Sequence, residues 1–326
     1  MDATACPQDI AYPTDLNLLS EARQISERLI DTIYVADLDG AKPRTYRKLA
    51  RKEYLQTAQQ KSPQAKTIRK AVGRQLRYVK RNLQSIDKLL DRRHAFPLDG
   101  KDQRCLMVIH TLFQQQMEMY LERKHSVSDR IVSIHQPHVR PIVRGKLKSK
   151  VEFGSKIHVS LANGYAYLDT ISWDAFNESS AMMEYIEQYR NRFGYYPEKV
   201  LADQIYCTRE NRRKLQDLGI RLLAKPLGRP KAVADHVSPG QRNPIEGKFG
   251  QAKNGYGLNR IRARLKDTSQ SWIASIIMVL NLVKLAGEAP LCLLSFSAWK
   301  QAVLGLLDEI KNTREPQQWN FGYYTR

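Results

Sequence analysis

The chain has 326 residues, of which 42% are hydrophobic, and this is enough for one large domain or two modest ones with cores. Its formal net charge is +20, which favours nucleic acid as the partner, with a membrane surface as the second choice. We find no signal-peptide pattern, and the longest apolar stretch, 272–287, contains Asn281 and Lys284, so it predicts a buried helix and no membrane span. The four scattered cysteines lack zinc spacing and indicate a reduced, cytoplasmic setting, associated with the nucleoid if the chain binds DNA.

The N-terminal part predicts a short extended piece followed by helices. Apolar residues recur three or four apart from Leu18 to Ile33, with Thr14 or Asp15 as the helix cap and Gly40 ending a polar turn. Residues 42–93 hold 17 Lys and Arg but only three acids, Glu53, Asp87 and Asp91. We interpret this segment as a helical hairpin with one very basic face that contacts DNA, and a solvated charge-rich helix pair is the alternative. A further helix is predicted over 106–123.

The pattern then changes to strands that alternate with helices. Residues 131–145 look extended, and 151–173 predict two strands around Asn163-Gly164, a strong hairpin signal. A helix from Asn177 or Glu178 to Phe193, a strand over 199–203, a helix over 208–218 and a strand over 220–224 follow. After a loop rich in Pro, Gly and Lys, helices are predicted over 244–254, 268–286 and 297–311. This order favours an α/β sheet of mixed direction, compatible with an RNase H-like fold.

Three carboxylates, Asp2, Asp203 and Glu246, can perform metal chemistry. Mg²⁺ prefers oxygen ligands, and two such ions about 4 Å apart can activate water and stabilise a leaving oxygen in phosphodiester cleavage. Asp203 follows a short apolar strand, at the end where open α/β sheets place their sites. Glu246 is predicted near a helix start, with Lys253 two turns later on nearly the same face. Taken singly, each acid is more often structural, and a Glu near a helix start usually serves the helix dipole.

The spacing around Glu246 matches a known motif. The motif is Tyr, two residues, Arg, three residues, Glu, six residues, Lys; this chain has Arg242, Glu246 and Lys253 in place, with Pro239 where the Tyr is expected. The segments DATACPQDIAYPTDLNLL, HQPHVRPIVRGK and VEFGSKIHVSL add to the similarity. The chain resembles the DDE transposases of bacterial insertion sequences, most closely the insertion-sequence-five group. Gln204 and Ile205, which intervene before Tyr206, depart mildly from the family's second block.

The resemblance implies a fold, a chemistry and a set of site residues. It implies an α/β, RNase H-like mixed sheet flanked by helices, with a basic helical insertion after the first strand. It implies Asp2, Asp203 and Glu246 as ligands of Mg²⁺ or Mn²⁺, and an enzyme that cuts element ends and transfers the exposed 3′-hydroxyl to target DNA. The expected partners are element-end and target DNA and further copies of the chain on DNA, with no membrane partner. The expected DNA contacts are Arg242, Lys248, Lys253, Arg260 and Arg262; the last two belong to an alternating basic run that a solvated face explains nearly as well.

The chain start shapes the expected domains. Only Met1 precedes Asp2, so we expect an N-terminally truncated transposase that keeps a remnant of the first catalytic strand over 1–12. A basic helical insertion over 13–125, an RNase H-like core over 126–290 and a C-terminal helix and tail over 291–326 complete the division. Loss of the strand predicts low stability and weak or absent transposition. The alternative function is a catalytically silent DNA-binding remnant that inhibits intact transposase.

Two further pairs of residues are assigned structural roles. His135 and His138 are three residues apart without further ligands at suitable spacing, so packing or phosphate contact is favoured over a zinc site. Asp169 and Asp174 flank the end of a predicted strand, and we expect both to lie on the surface.

Overall fold

A computed structural model describes residues 1–143, 151–174, 176–224, 239–288, 300–301, 303–305 and 307–308, with side chains from Pro244 onward in the fourth range. The chain divides into two compact units, residues 1–278 and 279–326. Most of the predicted C-terminal segment 291–326 lies outside the described residues. Those of its residues that are described, between Lys300 and Asp308, are helical.

A long strand organises the antiparallel part of the sheet. The strands are β1 (Asp2–Pro7), β2 (Arg140–Val143), β3 (Val151–Ala162) and β4 (Tyr165–Ser172). All three shorter strands pair antiparallel with β3, and Asp2 lies opposite Val159. The turn between β3 and β4 has Asn163 at φ 51° and Gly164 at φ 78°, the left-handed pair that a two-residue hairpin turn requires, so the predicted hairpin is confirmed.

The first strand is longer than the sequence led us to expect. All six residues of β1 have partners in β3, and Ala5 and Cys6 are almost fully buried. Six residues is an ordinary strand length, so the strand is longer than the remnant that the sequence predicted, and truncation of the chain stays a prediction.

Two short parallel strands form a second, two-stranded sheet near the start of β1. They are β5 (Lys199–Leu201) and β6 (Arg221–Leu223). The N-terminal amine of Met1 donates a hydrogen bond of 2.8 Å to the Leu201 carbonyl, so β5 lies beside the start of β1. Among the described strands, β1, β2 and β4 pair with β3 in an antiparallel sheet, and β5 and β6 form a parallel pair of their own.

The segment between β1 and β2 is helical, as predicted. Its helices are α1 (Asp15–Ile33), α2 (Ala36–Asp39), α3 (Arg47–Ala58), α4 (Ala65–Leu90) and α5 (Gly100–Glu122). Thr14 caps α1 by accepting from the Asn17 amide at 3.2 Å. The apolar faces of α1, α4 and α5 form a core of their own, which also includes Ile131 and Ile134 from the segment beyond α5.

Four further helices follow the hairpin, namely α6 (Met182–Phe193), α7 (Arg209–Asp217), α8 (Pro239–Gly255) and α9 (Lys266–Glu288). Helix α6 begins later than predicted because Asn177 accepts hydrogen bonds from Ser179 and forms a turn that competes with the helix. Met182, Ile186, Val200, Tyr206 and Leu215 share one buried cluster, which holds α6 and α7 to β5.

Helix α9 has one buried and one exposed face. Ile273, Ile276 and Ile277 are buried, whereas Trp272 and Met278 are exposed. The prediction of a buried helix therefore holds for one face only. Among the described residues it is the one helix long and apolar enough by length and composition to cross a membrane, a test that core helices also pass.

Candidate active site

Asp2 and Asp203 lie where two neighbouring strands meet. Asp2 is the first residue of β1, and Asp203 follows the end of β5, whose Leu201 carbonyl accepts from the Met1 amine at 2.8 Å. Both carboxylates are half-buried. The Oδ1 atom of Asp2 accepts from the Ala3 amide at 2.8 Å, and that of Asp203 accepts from the Gln204 amide at 2.6 Å. The two acids, which are 201 residues apart in sequence, are thereby fixed in orientation at one junction of the sheet.

A buried tyrosine lies beneath this junction. Asp203 caps a single 3₁₀ turn, Gln204–Tyr206, and the turn directs the Tyr206 ring into the core, where it is fully buried. Burial raises the pKa of Tyr206 most, and the carboxylates of Glu178 and Asp2 raise that pKa further. Asp2, Glu178 and Tyr206 therefore share one electrostatic environment.

The sequence did not identify Glu178 as a site residue. It predicted only that a helix begins at Asn177 or Glu178. Its carboxylate lies 2.7 Å from the Lys156 ammonium, and both side chains are largely buried. Lys156 also donates to the Phe176 carbonyl at 2.9 Å and lies over the Phe176 ring. This pair depends on a contact between β3 and the loop before α6, which local patterns do not reveal.

Asp169 is buried, so its predicted surface position is wrong. His158 Nδ1 lies 2.9 Å from one Asp169 oxygen, Ser160 donates to the same oxygen, and Arg192 forms an ion pair of 2.8 Å with the other. Alternation along β4 does not reveal this arrangement, because Arg192 comes from α6. The prediction for Asp174, which is 78% exposed, is confirmed.

His158 is a residue of β3 and pairs with Ala3 of β1 in the register of the sheet. Its ring stacks on Tyr185 with a centroid distance of 3.6 Å. Burial lowers the pKa of His158, and the hydrogen bond to Asp169 opposes this shift only in part. Because Arg192 also neutralises Asp169, the buried imidazole is held neutral at pH 7.

His138 packs against an aromatic ring, as the sequence favoured, whereas His135 faces a surface carboxylate. His138 contacts the edge of Trp173 at a centroid distance of 4.4 Å, and burial lowers the pKa of His138. His135 pairs with Glu21 at 3.2 Å on the surface. Packing and a surface ion pair therefore account for both.

Glu246 is the eighth residue of α8 and does not lie near its start. The helix begins at Pro239, five residues before the predicted start at Pro244, which lies inside it. A carboxylate beyond the second turn gains little from the helix dipole. Interaction with the dipole therefore does not explain a Glu at this position. Lys253 is two turns later on the same face, whereas Lys248 points about 160° away around the helix. The side chain of Arg242 lies outside the described residues.

The C-terminal end of α8 is tied to the end of β1. The Ile261 amide donates to the Pro7 carbonyl at 2.8 Å, and the Asp9 amide donates to the Ile261 carbonyl at 2.9 Å. Arg260 pairs with Asp9 at 2.9 Å, so this predicted DNA contact has a carboxylate partner. Arg262 is exposed.

The described residues include no group of three or more His, Cys, Asp or Glu side chains arranged to hold a metal ion. Asp2 and Asp203 nevertheless supply oxygen donors at one junction, which is the ligand chemistry that Mg²⁺ and Mn²⁺ prefer. The chain thus fits a divalent cation in its donor types.

Comparison with known families gives one match, over part of the chain. Residues 200–283 match the family described as Transposase DDE domain. The match includes Asp203, Glu246 and Lys253, and it supports transposase function with DNA as the implied substrate. No curated protein and no solved structure matches the chain.

Proposed function

We propose that this chain is a DDE transposase of the insertion-sequence-five group, in which Asp2, Asp203 and Glu246 hold divalent metal ions. The observation that carries the proposal is the hydrogen bond of 2.8 Å between the Met1 amine and the Leu201 carbonyl. It brings Asp2 beside the strand that leads into Asp203, in a chain whose residues 200–283 match the transposase DDE domain.

The strand order supports an RNase H-like fold. Three antiparallel strands, β4, β3 and β1, lie in one sheet, and the parallel pair β5 and β6 lies beside the start of β1. The helical segment α1–α5 follows the first strand directly, as expected of an insertion between β1 and the next strand.

The length of α8 supports Glu246 as the third ligand. The segment after α8 is bonded to Pro7, at the far end of β1 from Asp2. Glu246 lies about 14 Å back along the helix from Gly255. Asp2 lies about 17 Å back along the strand from Pro7. The proposal requires α8 to run back along β1 from this shared end, which would bring Glu246 to the level of Asp2.

The residues have distinct proposed roles. Divalent ions bound by the three acids would supply an activated water and charge neutralisation at the phosphate. Asp2 and Asp203 bind metal in orientations fixed by the Ala3 and Gln204 amides. Lys253, on the face of Glu246, binds a phosphate oxygen of the DNA. Strand transfer joins two DNA sites, so we also propose that copies of the chain associate on DNA.

Cleavage and metal binding test the proposal separately. We expect the purified chain to cut duplex DNA that carries the element ends when Mg²⁺ or Mn²⁺ is present, because β1 is fully paired and its carboxylate is in place. Glu246→Gln and Asp203→Asn should each lower cleavage by at least about 100-fold, since a ligand contributes several kcal/mol to charge stabilisation. Titration calorimetry with Mn²⁺ should show weaker binding to both variants.

Asp217→Asn is the matched control, because Asp217 is an exposed acid at the end of α7. It should cut DNA and bind Mn²⁺ as the wild type does. If wild type and Asp203→Asn bind Mn²⁺ equally and neither cuts DNA, the proposal is wrong and the silent DNA-binding remnant is favoured.

A further inference from the structure

The longest helix of the chain carries a row of exposed cations along one side. Lys66, Lys70, Arg77, Arg81 and Lys88 are all exposed on α4. Their spacing of four and seven residues places all of them within an arc of about 60° around the helix. The row, which we call the cationic stripe, extends for about 33 Å.

The opposite side of α4 is buried in the core of the helical segment. Leu76, Val79, Leu83 and Ile86 are buried against the other helices of the segment. This burial holds α4 in place without help from the stripe, whose like charges four residues apart destabilise an isolated helix slightly. It also excludes the membrane-surface mode, in which an amphipathic helix inserts its apolar face into lipid.

Of the three acids in 42–93, two face groups outside the stripe, and the third, Asp91, is exposed at the end of α4. Glu53 binds Arg74 at 3.2 Å, and Asp87 faces His110 at 3.8 Å. Within the described residues, no ion pair joins a carboxylate to any of the stripe cations on α4. The stripe is thus a linear array of charge that the described part of the chain does not neutralise.

Arg81 shows that the stripe is held in position by contacts other than ion pairs. Its guanidinium lies over the Tyr46 ring at 4.5 Å, and Arg44 lies over the same ring at 4.7 Å. Cation–π contacts orient two guanidiniums without cancelling their charge. They also join the stripe to the start of α3, where Lys48, Arg51 and Lys52 are exposed.

We infer that the cationic stripe of α4 is a binding surface for the phosphate backbone of duplex DNA, separate from the carboxylate site. Duplex DNA presents one charge per about 1.7 Å of its axis, and one turn measures about 34 Å, close to the length of the stripe. The inference rests on the proposed function for one point only, the choice of duplex DNA as the polyanion. Because the stripe cations reach phosphates, the contact is independent of base sequence.

Salt-dependent binding to a duplex of arbitrary sequence tests the inference. The affinity of the full chain for a fluorescent 20-base-pair duplex is measured in EDTA across a range of KCl concentrations. The variant Lys66→Gln, Arg77→Gln, Lys88→Gln loses three stripe charges, and Gln retains helix propensity. We expect its salt slope to be shallower than that of the wild type by about 2.7, with affinity at 100 mM salt reduced more than about tenfold.

The matched control removes the same charge elsewhere. Lys101→Gln, Arg104→Gln, Lys199→Gln changes three exposed cations on α5 and β5 and should shift the slope by less than about one. Equal losses in both variants, or no loss in either, would overturn the inference, as would a duplex RNA that competes better than DNA.

EDTA separates the two proposals. A shift specific to the stripe variant supports the surface even if the wild type fails to cut DNA with metal. Cleavage without that shift supports only the catalytic site.

Discussion

Gly154 is the residue at which β1 and β3 approach most closely. A Cβ atom there would lie 2.1 Å from the Cys6 carbonyl oxygen and 2.9 Å from the Pro7 Cα, both backbone atoms that cannot move independently. We therefore expect Gly154→Ala to push the two strands apart and to lower the free energy of unfolding by about 2 kcal/mol or more in urea denaturation. The same displacement moves Pro7, whose carbonyl binds Ile261, so DNA cleavage should fall as well.

Gly250 on α8 is the control for this substitution. A Cβ atom there would meet nothing within 4 Å. Gly250→Ala should raise the free energy of unfolding by up to about 1 kcal/mol, because alanine loses less backbone entropy in a helix. Equal effects of the two substitutions would show that the close contact does not govern this position.

At the scale of elements, two residues of α1 form a buried ion pair that faces α4. Arg23 is almost fully buried, contacts Glu27 at 2.6 Å and donates to the Gln75 side chain at 3.1 Å. Arg23→Met leaves Glu27 charged without its partner and should cost about 3 kcal/mol of unfolding free energy. The double variant Arg23→Met, Glu27→Met should recover most of that loss, because apolar residues of similar size replace such pairs well.

Thermal or urea unfolding of the four proteins gives the coupling energy of the pair. The exposed pair Glu210 and Lys214 on α7 has the same four-residue spacing, with 2.6 Å between the charged groups. The corresponding cycle on this pair should show no measurable coupling, because solvent screens exposed charges. A strictly additive cycle at Arg23 and Glu27 would contradict the prediction.

At the scale of the whole molecule, the helical segment has a core of its own that extends past α5. Ile131 and Ile134 belong to that core, and Arg130 ties this stretch to Asp15 at 2.6 Å. We expect residues 13–136, produced alone, to unfold cooperatively by circular dichroism. A fragment ending at 125, the boundary predicted from sequence, loses both isoleucines and should be less stable by about 3 kcal/mol. Equal stability of the two fragments would place the boundary at α5 after all.

The sequence by itself determined the local features. The three-to-four residue period predicted α1 and α4, the Thr14 cap was visible, and Asn163-Gly164 specified the hairpin, because each depends on residues close together in the chain. Charge asymmetry over 42–93 located the basic helices for the same reason. Glu246 came from motif spacing and Asp203 from its position after a short apolar strand, and the matched segment 200–283 includes both.

Only the tertiary structure decided the features that join distant segments. The six-residue pairing of β1, the meeting of Met1 with Leu201, and the burial of Asp169 against His158 and Arg192 all depend on side-by-side strands and helices far apart in sequence. Hydrophobic periodicity reports which face of an element is buried, but not which element covers it. For this reason the sequence alone gave Asp2 almost no strand, whereas the fold pairs all six residues of its strand with β3.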